Sequence, residues 1–281
     1  MAPMNFSRPG DRIDYIDTGY WSNKAIQAAE SLGRDLRVVA SSSDCDHTAV
    51  PDLQQVHPRS EARYLHLCTN NTVVGTQFHD IPGMPVPVVV DMSSDFMSKP
   101  ITLDNLDLIY AHAQKNAGLA GVTTVLIRKE LLEQIEEGLP DFFDYRTHIQ
   151  HNSNYHTPPC FSIYITWHVL RWIEEDLGGL ENLGKINRKK ASLLYTFLDS
   201  SLLFHCPVRK PSRSQMNVVF TLPTEDMQKQ FIRESAQAGI IGVAGHRKRG
   251  GCRVSIYNGV TLEAVKELVG FMSDFEKKYS V

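Results

Sequence analysis

The sequence predicts an α/β fold: a large domain built on a mostly parallel sheet, followed by a smaller C-terminal α+β domain. Three observations point there. Short apolar runs alternate with helical stretches over roughly the first 130 residues. One run, Pro87–Asp91, is apolar up to its closing aspartate, as a strand covered on both faces would be. After Pro158-Pro159 the pattern changes to two long helical stretches and then to strand, helix, strand, helix.

The elements follow in order. Asp17-Thr18-Gly19 is turn-like and opens a helix over Ser22–Leu32. Leu36–Ala40 and Tyr64–Cys68 read as strands, as do Pro87–Asp91, Leu106–Ala111 and Val122–Arg128. Cys160–Glu175 and Leu183–Leu198 read as long amphipathic helices that bridge the two domains. A strand at Met216–Leu222, a helix at Thr224–Ala238, a strand at Cys252–Tyr257 and a helix at Thr261–Tyr279 complete the chain. The expected division is residues 1–175 for the large domain and 176–281 for the small one.

Composition excludes several function classes. Of 281 residues 42% are hydrophobic, enough for a real core, and the net charge of −3 provides no basic field for nucleic acid. No apolar run is long enough to span a bilayer, and the first twelve residues contain no apolar signal segment. The five cysteines are scattered, odd in number and without a CxxC pair, so the expectation is reduced thiols in a cytoplasmic protein with no metal site.

Three stretches carry candidate chemistry. In Ile109–Gly121 an apolar strand runs into Lys115, then into a glycine-containing loop and another strand. A lysine between buried strands is poorly solvated, which lowers its pKa and leaves the amine suited to imine formation with an aldehyde cofactor. Gly118 and Gly121 would let the backbone pass close to a bound group. Lys115 taken alone equally suits a solvated lysine at a strand end. Asp91 closes its strand at the carboxyl edge, where α/β sheets place ligands, and an aspartate there can hold a pyridinium nitrogen protonated. It also suits a simple turn or helix cap. The third stretch, Gly245–Arg253, sets His246, Arg247, Lys248, Arg249 and Arg253 between glycines, fit for a small carboxylate or phosphate or simply solvated.

Joined in order along the chain, these motifs resemble the phosphoserine aminotransferase family of class-V, fold type I pyridoxal-phosphate enzymes. The matching segments are Asp17–Ser22, Asp91–Ser94, Ile109–Asn116, His156–Pro159, Gly245–Arg253 and Ser255–Asn258. The 24-residue interval from Asp91 to Lys115, with one strand between, also suits fold type I. The resemblance implies pyridoxal 5'-phosphate as cofactor, with Lys115 as the Schiff-base lysine and Asp91 at the ring nitrogen. It implies Trp21 stacked on the ring, Thr72 at the phenolic oxygen and Gln114 at the phosphate. By themselves Trp21 reads as a core tryptophan and Thr72 as a turn residue. His156 and Thr157, where the family usually has Asn-Thr, would reach the phosphate of a neighbouring subunit in a homodimer with its active site at the interface. His246 and Arg247 would hold the substrate phosphate, and Arg253 the α-carboxylate.

The implied reaction is amino transfer between L-glutamate and 3-phosphohydroxypyruvate, giving O-phospho-L-serine and 2-oxoglutarate, in serine and also pyridoxine biosynthesis. The resemblance further implies a preceding segment, with a Gly-Gly phosphate loop and a His-Arg pair, that this chain lacks. Weak or absent activity of the chain alone is the corresponding expectation. Two alternatives stand beside it: a non-catalytic paralogue or fragment that only dimerises, and a fold type I aminotransferase for an uncharged 2-oxo acid.

Overall fold

A computed structural model describes residues 1–279. Its centre is a six-stranded sheet in the order β2-β1-β3-β6-β7-β8. The strands are β1 (Arg12–Asp17), β2 (Asp35–Ser41), β3 (Leu65–Cys68), β6 (Val88–Asp91), β7 (Leu108–His112) and β8 (Thr123–Ile127). A two-stranded ribbon, β4 (Asn70–Asn71) with β5 (Thr76–Gln77), sits just past β3. All pairings in the large sheet are parallel except β7 with β8. The loop of Ala113–Val122 between those two strands holds no helix, so the chain returns antiparallel instead of crossing over.

Alternation along the strands divides the sheet into two faces. Leu65, Leu67, Val88, Val90, Ile109 and Ala111 pack into one core. Ile13, Tyr15, Tyr64, Val89 and Leu108 pack into another with the short helix α1 (Ala2–Asn5) and with α2 (Tyr20–Glu30). The apolar reading of Pro87–Asp91 corresponds to β6, whose Val88, Val89 and Val90 are buried. Strand β1 was not expected, because two aspartates in six residues argue against a strand. Its Asp14 is fully buried and bound by the Arg59 guanidinium at 2.8 Å and by the Arg59 backbone N–H at 2.6 Å. A partner 45 residues away thus removes the penalty that local composition implies.

Two short helices follow, α3 (Lys129–Leu132) and α4 (Tyr145–Gln150). The helix expected over Cys160–Glu175 is α5 (Cys160–Arg171), which widens into a π-helical turn at Trp172–Asp176. None of its residues from 160 to 171 is fully buried, and Phe161, Ile163, Tyr164, Trp167 and Leu170 are exposed. Helix α6 (Gly179–Ser200) leads to a second unit: β9 (Asn217–Phe220) antiparallel to β10 (Cys252–Ser255), covered by α7 (Glu225–Gln237) and α8 (Leu262–Tyr279). Phe204, Phe220, Phe231 and Phe275 form its aromatic centre, with ring centroids 5.2–6.1 Å apart.

The two units meet along a buried polar seam. Asn70 donates to Asn217 Oδ1 and to Ser94 Oγ, both at 2.8 Å, and accepts from Ser214 Oγ at 2.5 Å. Asn217 in turn donates to Ser255 Oγ at 3.0 Å and to the Tyr257 hydroxyl at 3.1 Å.

Candidate active site

The site is assembled at the carboxyl end of the large sheet. Asp91 ends β6 beside Cys68 of β3 and Tyr110 of β7. One of its oxygens accepts the Ser93 N–H at 2.9 Å. The aspartate therefore does cap a turn, and that bond steadies the carboxylate while its second oxygen takes no hydrogen bond among the described residues. Lys115 lies in the loop after β7. Burial lowers its pKa; Asp91 and Asp95 oppose this by favouring the charged form, and Arg253 adds to it. The expected desolvated lysine is thus present, with carboxylates near enough to matter.

Trp21 is placed by the start of α2. Gly19 has φ +127°, and a Cβ there would sit 2.6 Å from the Asn71 side chain, so only glycine fits. Asp17 accepts from the Gly19 N–H and the Ser22 hydroxyl, each at 2.9 Å, and from Asn23 at 2.6 Å. This knot sets the first helical turn, and the Trp21 ring centroid comes to 5.9 Å from Lys115 Nζ. The Trp21 Nε1–H donates to Thr72 Oγ1 at 3.1 Å. The Thr72 carbonyl accepts from Arg253 Nη1 at 3.0 Å. Arg253 Nε is buried without a partner, a donor left for something else in the site.

Trp21, Thr72, Asp91, Lys115 and Arg253 are therefore drawn together from five segments. Gln114, next to Lys115, is exposed. His156 and Thr157 are exposed on the loop before α5, where the His156 ring lies 4.9 Å from Phe142, apart from Lys115. Gly118 and Gly121 do not face a ligand cavity. A Cβ on Gly118 would lie 3.1 Å from Thr166 Cα, so this glycine lets α5 pack on the lysine loop; at Gly121 a Cβ would make only ordinary contact with Ser162, and it is the φ of +103° that favours glycine.

The basic loop divides its cations. Arg249 pairs with Asp46 at 2.8 Å, and Lys248 Nζ lies 5.0 Å over the Tyr20 ring. The His246 ring is 5.4 Å from Tyr20. Asp46, His246, Arg249 and Arg253 line a cavity of about 210 Å³. Arg247 is exposed and outside that lining, with no carboxylate partner among the described residues. The Asp46–Arg249 pair was not foreseen; 203 residues separate its members, and no local pattern marks it.

Comparison with known proteins decides the family. The profile of the aminotransferase class-V family matches residues 1–268. A phosphoserine aminotransferase of Geobacillus kaustophilus is 46% identical over 281 residues, covering 100% of this chain and 78% of that protein. This chain belongs to the phosphoserine aminotransferase family. A Desulfosudis oleivorans phosphoserine aminotransferase is 45% identical across 99% of this chain and 76% of its own length. The solved structure of the enzyme from Bacillus circulans subsp. alkalophilus superposes with a TM-score of 0.95 at 43% identity, covering 99% of this chain and 77% of that one. A family member from Trichomonas vaginalis, solved with pyridoxal phosphate bound, superposes at 0.90 with 36% identity, covering 96% of this chain and 77% of that one. The fold is therefore that of fold type I pyridoxal-phosphate transferases, and pyridoxal 5'-phosphate is the cofactor of the family. The residues present fit that group: a partly desolvated amine, a carboxylate with a free oxygen, an aromatic ring near the amine and an orphaned guanidinium N–H. Among the described residues no helix is long and apolar enough to cross a membrane.

Proposed function

We propose that this chain transfers the amino group between L-glutamate and 3-phosphohydroxypyruvate, producing O-phospho-L-serine and 2-oxoglutarate. Family membership supports the reaction, and one observation carries the site: the desolvated Lys115 amine beside the Trp21 ring, with the Asp91 carboxylate near it. Bound pyridoxal 5'-phosphate supplies the aldehyde that takes up the amino group and the ring that accepts the electron pair from the substrate Cα. Lys115, its pKa lowered by burial, would take the proton from the substrate Cα and deliver it to the carbon that was the cofactor's aldehyde. Asp91 would hold the proton on the ring nitrogen, which would keep the electron sink strong. Trp21 would stack on the ring, Thr72 would meet the phenolic oxygen and Gln114 the phosphate. Arg253 receives the α-carboxylate through its unpartnered Nε–H, and His246 with Arg247 receives the substrate phosphate.

A homodimer accompanies this reading. The exposed side chains of α5 include Phe161 at 68% exposure, Tyr164 at 54% and Trp167 at 50%, next to the lysine loop. An apolar helix of this kind suits a second copy. His156 and Thr157 then extend toward the partner's phosphate site. The π-helical turn at Trp172–Asp176 supports dividing the chain near residue 175, into a cofactor-binding part and a smaller C-terminal part.

The test is direct. Purified protein is mixed with pyridoxal phosphate, reduced with borohydride and mapped by peptide mass. A pyridoxyl group on Lys115, with visible absorbance lost on adding phosphoserine and not on adding alanine, is the expected result. A label elsewhere, or no label, overturns the assignment.

A further inference from the structure

Lys190, on α6, is fully buried and stands outside the site just described. Its ammonium has three protons, and all three go to backbone carbonyls: Ile256 at 3.1 Å, Tyr257 at 2.9 Å and Val260 at 2.8 Å. No carboxylate pairs with it among the described residues. A buried charge of this kind is costly unless fully satisfied, and a leucine or methionine would fill the space without that cost.

The loop it holds leads to the reacting groups. Asn258 sits in the middle of that loop. Its backbone N–H donates to Asn116 Oδ1 at 3.0 Å, and its Nδ2 donates to the Met97 carbonyl at 2.8 Å and the Asn116 carbonyl at 3.3 Å. Asn187, one turn before Lys190, donates to Asn258 Oδ1 at 2.9 Å and to the Ser98 carbonyl at 2.8 Å. Asn116 donates onward to the Ser94 carbonyl at 3.1 Å. Three segments thus meet at one buried polar junction: the turn that follows Asp91, the residue that follows Lys115, and the loop that follows the strand bearing Arg253.

We infer that Lys190 is a positioning residue for the transamination: it locks the 256–260 loop so that Asn258 and Asn116 hold Lys115, Asp91 and Arg253 in one fixed arrangement. The inference rests on Lys115 being the reacting lysine. Lys190 touches none of the reacting groups and acts through the junction alone. Loosening the junction admits water to the Lys115 loop. The groups that face Lys115 are Asp91, Asp95, Cys68 and Arg253, and desolvation is the largest influence on it. Added water therefore moves its pKa back toward the ordinary lysine value.

The experiment measures capture of Lys115 by pyridoxal phosphate and borohydride as a function of pH, in the full chain and its variants. Lys190→Met and Asn258→Ala are each expected to raise the midpoint of the capture profile by about half a pH unit, or about threefold slower capture at neutral pH. The double variant should shift no further than the larger single one, because both cut the same chain of bonds. Phe275→Ala, in the aromatic centre of the C-terminal unit, lowers thermal stability without touching the junction and should leave the midpoint in place. A folded Lys190→Met protein with an unmoved midpoint overturns the proposal. If Lys190→Met does not fold, Asn258→Ala decides on the same criterion. A wild-type label on another lysine removes the Lys115 reading and this inference with it. A label on Lys115 with an unmoved midpoint removes this inference alone.

Discussion

The two oxygens of Asp91 differ in their surroundings. One is tied to the Ser93 N–H, so the side chain is oriented before any ligand arrives. Replacing it with alanine deletes the charge from a partly dry site without opening a core cavity. We expect Asp91→Ala to bind pyridoxal phosphate and to slow the half-reaction with phosphoserine by two to three orders of magnitude, in line with the roughly 3–4 kcal/mol of a lost preorganised group. Stopped-flow absorbance measures it, and near-normal turnover would reduce Asp91 to a turn cap. The two cations at the substrate end should separate by substrate. Arg247 is exposed and not paired with a carboxylate, so Arg247→Ala should weaken phosphoserine and leave glutamate, which has no phosphate, within about threefold of wild type. Equal losses in the two half-reactions would assign Arg247 a structural role.

Among the secondary-structure elements, α5 is the one whose sequence and surroundings disagree. A twelve-residue helix that packs one side on the lysine loop but has no fully buried residue leaves an apolar face for something else to cover. Trp167→Glu should convert a dimer to monomer in light scattering, with the helical content retained; a monomeric wild type would remove the dimer reading. In the large sheet, His66 of β3 is buried, with Nε2 2.9 Å from the Tyr110 hydroxyl, its ring 4.9 Å from that of Tyr15, and Nδ1 unpartnered. Burial lowers its pKa from 6.5 to about 4, against the pull of Asp91. The depressed native value means that the unfolded chain binds the proton first, so this contribution is whole above pH 6.5 and is lost as pH falls toward 4. Between pH 7 and 5 it amounts to about 2 kcal/mol. His66→Gln should therefore close the gap to wild type by about that amount over this range in urea melts. A gap independent of pH would show that His66 takes up its proton in the folded state.

The two units of the chain are joined by amides and hydroxyls instead of an oily interface. Asn70 alone bonds to Asn217, Ser94 and Ser214. Truncating it leaves Asn217 Oδ1 without a partner and takes one bond each from Ser94 Oγ and Ser214 Oγ, at about 1–3 kcal/mol for each unmet buried group. Asn70→Ala should lower unfolding free energy by about 3 kcal/mol and make the two units melt apart, seen as a split or broadened calorimetric transition. A single sharp transition with unchanged midpoint would mean that water replaces the amide. Such a seam holds Arg253 of β10 in register with Lys115 of the large-sheet unit through directional bonds, as the proposed function requires.

Periodicity and motif order were enough to place most strands, the long helices and the change of pattern after Pro158-Pro159, since each depends on which face of an element is apolar. Lys115 and Asp91 were candidates from their own motifs, whereas Trp21 and Thr72, which alone read as a core tryptophan and a turn residue, were expected only through the family resemblance; the structure brings the four together. Strand β1 was not legible, because Asp14 becomes tolerable only when Arg59 folds onto it. The direction of β8 depends on a loop that returns without a helix, and the outward face of α5 on what packs beside it. Lys190, Asn258 and the Asp46–Arg249 pair carry no local signal, as their partners lie 66 to 203 residues away. Local pattern thus decides which chemistry the chain can carry. Only the packed structure decides which cations are already neutralised, which lysine is partly desolvated and which amides sit beside it, because these depend on distances that close after the chain has folded.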